Sequence, residues 1–313
     1  MSEELHFGLF GQDIAHSLSP MIHRHHGQLT QRNINYHLLD FSPREIEEFF
    51  DGRSTYPIPH EQFVGFNVTT PFKDYFLKKV HSLTTEALQV QGVNTIKFNN
   101  GHLLGHNTDI AGIKFTFEEY QIDLSSYHVC LLGVGAANRA AALAMVKAGV
   151  KSLTWVSRNK ISGKNCIDWC QKELPHTHCI WLGINEQKVH SFLTANQPHH
   201  PTLKELKYEY LQHQDIILVS GIPPQSYQQW TILAQICQTA LGEYFGLSDH
   251  SYFVDLNYGA HRTTGAQEFT RHLKVEYLDG LTMLVGQAVA SFNWWCQESL
   301  IAANVWSKLS KYL

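Results

Sequence analysis

Short apolar runs alternate with amphipathic stretches along the first third of the chain. His6 to Gly11 predicts a short buried strand, and Pro20 to Gln31 a helix opened by Ser19 at its N-cap with Pro20 in the first helical position. Tyr36 to Phe41 predicts a second strand, and the same alternation continues through Phe63 to Val68 and Ile96 to Phe98. Strands and helices taken in turn imply a parallel or mixed α/β sheet.

The pattern restarts at His128. His128 to Leu132 reads as a strand, Gly133 to Gly135 as a tight turn, Ala136 to Ala148 as an Ala-rich helix ending at Gly149, and Leu153 to Ser157 as the next strand. That is one β-α-β crossover. From about 172 to 251 the periodicity weakens in a stretch rich in His, Gln and Pro, within which Asp215 to Ser220 stands out as another buried strand. Leu281 to Leu313 predicts one or two helices carrying Met283, Leu284, Phe292, Trp294 and Trp295.

Composition sharpens this picture. A chain of 313 residues that is 43% hydrophobic can bury two cores. A formal net charge of -4, from 24 basic and 28 acidic residues, gives no electrostatic case for nucleic acid or for an anionic membrane surface. The 6 cysteines are scattered without a Cys-x-x-Cys pair, and no basic segment is followed by a long apolar run, so a cytoplasmic protein with reduced thiols is expected. Among the 20 histidines, the candidate metal ligands are His23, His25 and His26, and His176 and His178 beside Cys179. His23 and His26 share a helix face but bring no carboxylate or cysteine partner, so no metal is expected.

Six segments carry candidate chemistry. His16-Ser17-Leu18-Ser19-Pro20 places two hydroxyls at a helix N-terminus, where free N–H groups and the helix dipole favour an anion. Gly65 to Lys73, Asn94-Thr95, and Gly105 to Asp109 each end a short segment in small polar groups, with Lys73 just beyond the first turn. Gly133-Val134-Gly135-Ala136-Ala137-Asn138 lacks the third glycine of a dinucleotide fingerprint, yet it follows a strand and opens a helix as a pyrophosphate site requires. The next strand ends in Ser157-Arg158-Asn159-Lys160, where an NAD-binding unit would carry an acid; a basic fork there suits a 2′-phosphate, which points to NADP.

Taken in this order, and with Asp255 to Tyr258 and Asp279 to Ala288, the segments resemble the shikimate dehydrogenase family. The resemblance implies an N-terminal α/β substrate domain over residues 1–110, completed by 280–313, and a Rossmann-type NADP-binding domain over 111–279, with the C-terminal helix returning to the substrate domain. It implies that Lys73 and Asp109 form the catalytic pair. Ser17, Ser19, Thr69, Asn94, Asp109, Tyr258 and Gln287 would bind substrate. Gly133, Val134, Gly135, Ala136, Ala137, Ser157, Arg158, Asn159, Lys160, Leu256 and Gly280 would line the cofactor site. The implied activity is NADP-dependent interconversion of 3-dehydroshikimate and shikimate, by a monomer or homodimer. A quinate/shikimate enzyme and a non-catalytic NADP-binding sensor are the alternatives. Departures from the family pattern are Asp13 for proline, Arg24 for asparagine, Ala136 for glycine, Val219 to Pro223 for Asn-Ala-Thr, and Gly259-Ala260 after the tyrosine.

Overall fold

A computed structural model describes residues 4–185, 188–193, 215–222, 250–259, 266–267, 270–271 and 275–313. They fall into two units, Met1–Glu119 with Thr282–Leu313, and Tyr120–Leu281.

The first unit is built on a six-stranded mixed sheet of order β2-β1-β3-β5-β6-β4, from β1 (Glu4–Gly11), β2 (Asn33–Asp40), β3 (Phe63–Val68), β4 (Ser82–Leu83), β5 (Thr95–Asn99) and β6 (His102–His106). β1 pairs in parallel with β2 and β3, whereas β5 runs antiparallel to its neighbours β3 and β6. Side chains of a strand alternate between faces, and β3 uses this fully. Phe66 and Val68 join Phe10, Leu39, Phe49 and Phe76 in one buried aromatic cluster, while Asn67 points the other way, toward the C-terminal helix. Helices α1 (Ser19–Thr30), α2 (Pro43–Phe50), α3 (Lys73–Lys79), α4 (Thr85–Val90) and α5 (Asp109–Glu119) follow in the connections. Helix α1 begins one residue earlier than its sequence pattern predicts. Leu18 is its N-cap and no side chain caps it, so Ser19 is the first helical residue and its hydroxyl is not a cap.

The C-terminal α8 (Leu281–Cys296) is apolar on nearly every side, as befits a buried helix, and α9 (Ala302–Leu309) follows it. Gly112 of α5 and Gly286 of α8 meet where the helices cross. A Cβ on Gly112 would lie 2.5 Å from the Met283 carbonyl oxygen, and one on Gly286 would lie 3.0 Å from the Gly112 Cα. This close crossing keeps α5 with the first unit and sets Asp109, at its first position, beside α8.

The second unit is a seven-stranded sheet of order β10-β9-β8-β7-β11-β12-β13, parallel except for the β9/β10 hairpin. Its strands are β7 (Tyr127–Leu132), β8 (Ser152–Ser157), β9 (His178–Asn185), β10 (Lys188–Leu193), β11 (Asp215–Ser220), β12 (Tyr252–Asp255) and β13 (Glu276–Leu278). Leaving β10 aside, the first strand is flanked by the second and by the fourth, the doubly wound order of dinucleotide-binding domains. Runs such as Val129 to Leu132 and Ile216 to Val219 are buried without alternation, as parallel strands covered on both faces must be. Between strands lie α6 (Ala136–Lys147), which buries Ala140, Ala141, Ala142 and Ala144, and α7 (Lys160–Glu173). The strand expected at Asp215 to Ser220 is present, and much of the poorly patterned stretch around it lies outside the described residues. No helix among the described residues is long and apolar enough to cross a membrane.

Candidate active site

Lys73 opens α3 and Asp109 opens α5, and the Lys73 Nζ donates to Asp109 Oδ2 at 2.5 Å. The carboxylate is almost wholly buried, with 5% of its side chain exposed against 19% for the lysine. Its second oxygen, Oδ1, accepts from Asn94 Nδ2 at 2.7 Å. The orientation of that amide is forced. A backbone N–H can only donate, and the Thr108 N–H lies 2.7 Å from Asn94 Oδ1, so the carboxylate must face the amide nitrogen. The result is an ammonium with a buried counter-ion, reachable from one side. Such a group can hold a proton, donate it, and stabilise negative charge that develops on a nearby oxygen.

Gln287, on α8, is buried, and its Nε2 donates to the Leu284 carbonyl. Its Oε1 lies 3.5 Å from the Thr108 hydroxyl, at the limit of a hydrogen bond. Thr69 follows β3 and is partly buried; its N–H donates to Phe10, and the Thr70-Pro71 peptide after it is cis. At the start of α1, Ser17 Oγ accepts from the Ser19 N–H at 3.3 Å. Ser19 itself is 4% exposed and its hydroxyl has no hydrogen bond among the described residues. That leaves an unspent donor at the positive end of a helix, suited to a carboxylate. The structure therefore brings Lys73, Asn94, Asp109 and Gln287 into one hydrogen-bonded group, and places Ser17, Ser19 and Thr69 in the same unit. Tyr258 belongs to the second unit, half-buried in the turn after β12.

Sequence reasoning assigns no individual role to four members of this group, although three of them, Asn67, Thr95 and Thr108, lie in segments it singles out. Asn67, Thr95, Thr108 and Ser291 are all buried and bonded to one another. A signal exists for the last: Gln287 and Ser291 are polar residues spaced i, i+4 on an otherwise apolar helix, hence on one face. His23 and His26 lie in the core, in ring contact with Tyr36, Phe292 and Trp295, and His23 abuts Asn67 at the edge of this group. Among the described residues no group of three His, Cys, Asp or Glu is placed to hold a metal ion.

In the second unit Gly133 has φ +101, a conformation that L side chains rarely adopt. Its N–H donates to Val156. Gly135 is the N-cap of α6, and a Cβ there would meet nothing within 4 Å, so the helix N-terminus is bare. Val134 and Ala137 are partly buried and Ala136 is buried at the first helical position. The absent third glycine has a physical explanation. Asn138 fills that place and donates from Nδ2 to the Leu132 and Gly133 carbonyls at 2.7 and 2.9 Å. Gly221, past the end of β11, makes room for it, since a Cβ there would lie 2.8 Å from Asn138 Oδ1.

Past the end of β8, Asn159 caps α7 by accepting from the Ile161 and Ser162 N–H groups, and Ser157 Oγ accepts from the Trp181 indole. Arg158 is exposed and forms no ion pair among the described residues. Lys160 opens α7. The Leu256 N–H donates to Ser220, and Gly280 donates to the Asn257 carbonyl, packed so closely that a Cβ would lie 2.8 Å from that oxygen. Nearby, Asp255 is fully buried, and burial pushes its carboxyl up to about 6 despite hydrogen bonds from Asn257 and Tyr277. A bare helix N-terminus after the first strand, at the point where strand order reverses, is the arrangement that takes a pyrophosphate.

The chain has relatives among known proteins. Residues 9–96 match the shikimate dehydrogenase substrate binding domain family. The chain is 26% identical over 308 residues to the shikimate dehydrogenase (NADP(+)) of Caldanaerobacter subterraneus subsp. tengcongensis, covering 97% of this chain and 95% of that relative. The crystal structure of shikimate 5-dehydrogenase from Thermus thermophilus, in complex with NADP(H) and shikimate, superposes with a TM-score of 0.68 at 20% identity, covering 99% of this chain and 100% of that one. Quinate dehydrogenase from Corynebacterium glutamicum, in complex with NAD, gives the same TM-score, identity and coverage. Overall fold therefore does not separate substrates or cofactors, and side chains must.

Proposed function

We propose that this chain, which belongs to the shikimate dehydrogenase family, interconverts shikimate and 3-dehydroshikimate with NADP as a step of aromatic amino-acid biosynthesis. The observation that carries the reading is the 2.5 Å contact of Lys73 with a buried Asp109 whose other oxygen is held by Asn94. A protein that only sensed NADP would have no use for a lysine pinned in this way beside a cluster of polar groups.

In this reading the first unit is the substrate domain. Ser17, Ser19 and the start of α1 take the ring carboxylate, and Thr69, Asn94, Asp109 and Gln287 contact ring hydroxyls. The second unit is the cofactor domain. The turn Gly133 to Ala137 fits a pyrophosphate, since the space around Gly135 at the N-terminus of α6 is open. Arg158 and Lys160 take the 2′-phosphate, which an acid would repel, and Leu256 and Gly280 line the cofactor site. When bound, NADP supplies or accepts the hydride. The protein's own task is position and charge.

Reduction of the ketone builds negative charge on its oxygen. Lys73 stabilises that charge and gives the oxygen a proton; in the reverse direction it takes the hydroxyl proton back. Asp109 fixes the ammonium in place, and Asn94 fixes Asp109. The cytoplasm, with its reduced thiols and supply of NADP, is the compartment we infer, and the five described cysteines are free thiols. The test is a spectrophotometric assay of shikimate and of quinate, each with NADP and with NAD. The reading expects shikimate with NADP to be the best pair. A preference for quinate with NAD would transfer the chain to the quinate branch of the same chemistry, and no turnover of any pair by folded protein would overturn it.

A further inference from the structure

The Lys73–Asp109–Asn94 group rests on a second layer whose centre is a single hydroxyl from the other end of the chain. Ser291, on α8, is completely buried. Its Oγ donates to the Gln287 carbonyl at 2.9 Å and accepts from Asn67 Nδ2 at 3.0 Å. It also lies 3.1 Å from the hydroxyls of both Thr95 and Thr108. Four polar neighbours at hydrogen-bond distance leave this hydroxyl saturated.

All but one of the protons around Asn94 and Thr108 can be assigned. Asn94 Nδ2 has two hydrogens, one on Asp109 Oδ1 and the other on Thr108 Oγ1 at 3.1 Å. Asn94 Oδ1 accepts from the Thr108 N–H at 2.7 Å and from the Thr95 hydroxyl at 3.0 Å. Since Thr108 Oγ1 accepts from Asn94, its own proton must be given elsewhere. The acceptors within reach are Thr95 Oγ1 at 3.0 Å, Ser291 Oγ at 3.1 Å, Asn94 Oδ1 at 3.2 Å and Gln287 Oε1 at 3.5 Å. Asn94 Oδ1 already has two donors and Gln287 is at the limit of reach, which leaves Thr95 and Ser291; Ser291, its own proton given to the Gln287 carbonyl, can meet Thr108 only as an acceptor.

We infer that Ser291 is a positioning residue: by accepting the Thr108 proton it holds Thr108 as an acceptor for Asn94, and so fixes the amide that aims Asp109 at Lys73. The inference rests on the function proposed above for its kinetic consequence, although its structural claim stands without it. Nothing about Ser291 itself touches substrate. Its effect reaches the lysine through Thr108, Asn94 and Asp109, three residues that a buried polar network holds to one arrangement only while every member is satisfied.

The decisive variant is Ser291→Ala, which removes one oxygen from a packed helix. A crystal structure of the variant should show the Asn94 amide drawn away from Asp109, beyond normal hydrogen-bond length. With whichever hydroxy acid the parent enzyme turns over, kcat should fall by about 10-fold, the scale of one hydrogen bond lost from a positioned group. KM should change less, by under about 3-fold, because the groups that hold the carboxylate are untouched. Thr108→Val should reproduce the loss, and the double variant should be no worse than the worse single one, since the two act through one contact. Asn293→Ala is the control for damage to α8 as a whole. Asn293 ties the end of that helix to Leu300 through both amide atoms and has no part in the network, so its loss should lower Tm while kcat stays near the parent value. An Asn94–Asp109 contact unchanged in the Ser291→Ala structure would overturn the inference, whatever the substrate. So would a normal kcat, or losses in Ser291→Ala and Thr108→Val that multiply. Failure of the parent enzyme to oxidise shikimate would instead count against the proposed function alone.

Discussion

In the first unit the groups that matter are side chains, nearly all buried and saturated with one another: Lys73 on Asp109, Asp109 on Asn94, Asn94 on Thr108, and Thr108 on Ser291. In the second they are main-chain N–H groups at the bare start of α6, with Arg158 standing exposed beyond β8. One half is prebuilt by a side-chain network, the other by backbone geometry and strand order. The difference teaches where each half is vulnerable. A change inside the network should cost rate, because it moves a charge that acts during the reaction. A change at the rim of the second unit should cost affinity, because an exposed residue contributes its own contact and little else.

The sharpest test of this contrast is at Lys73. Lys73→Ala should lower kcat by roughly 100-fold or more with KM comparatively unchanged, because the ammonium meets a charge that appears only in the transition state. Lys73→Met keeps most of the stem and should be as inactive. Asp109→Asn should damage both parameters, and the double variant should be little worse than the worse single one. Near-normal kcat in Lys73 variants that fold and bind NADP would remove the lysine from the mechanism and the contrast with it.

The first unit should also be the more acid-labile. Burial, reinforced by the neighbouring His26 ring, holds His23 well below its ordinary range, and burial with His25 nearby brings His26 down to about 3. Neither ring has a well-formed hydrogen bond to protein. The unfolded chain takes up protons on both below about pH 6.5 while the folded chain does not. Their contribution to stability is thus complete above that pH and is lost as the pH falls below it; for His26 the loss runs from 6.5 toward 3, at about 1.4 kcal/mol per pH unit. The second unit has His128, also brought down to about 3 by burial and by His178, but with Ser152 and Thr154 as hydrogen-bond partners. Urea unfolding followed from about pH 7 to about pH 5 should show His26→Phe, which keeps a ring against Phe292, with a shallower loss than the parent. An unchanged slope would mean that His26 is protonated in the folded state.

At the second unit, Arg158→Ala should weaken NADP binding by about 20-fold, the scale of one charge-assisted contact, and leave NAD binding nearly unaltered. Titration of both cofactors measures this directly. Equal loss for both would mean that Arg158 supports the loop and does not read the 2′-phosphate.

How far the sequence discloses these two halves follows from the same contrast. The crossover from β7 through β8 is legible because unalternated apolar runs and a Gly-x-Gly turn are local signals, and Lys73, Asn94 and Asp109 because they end segments in polar groups that match a family order. Asn67, Thr95, Thr108 and Ser291 form a network across sequence separations of up to 224 residues, and no local pattern announces such pairings. The start of α1 differs by one residue from its pattern because Ser19 has the composition of a cap, whereas the chain uses Leu18 and keeps the hydroxyl unspent. Asn138 reads as a defect in the fingerprint because its compensation, Gly221, lies past another strand.

The smallest expected effect lies at the start of α1, and it separates two hydroxyls that look equivalent in the sequence. Ser19 is buried and its hydroxyl has no partner among the described residues, so an anion bound there would be its first. Ser17 Oγ is already engaged, accepting from the Ser19 N–H. Ser19→Ala therefore removes a donor outright, and KM for the acid should rise by about 5-fold with kcat nearly unchanged, since a carboxylate remote from the reacting carbon is bound alike in ground and transition states. Ser17→Ala removes a hydroxyl but releases the Ser19 N–H, a donor at the positive end of a helix that can turn to the anion. The gain offsets part of the loss, and KM should rise by only about 2-fold. Steady-state kinetics of the two variants decide the matter. Equal increases would show that the Ser19 N–H takes no part, and a larger effect at Ser17 would place the carboxylate on the loop before α1 and not on the helix itself.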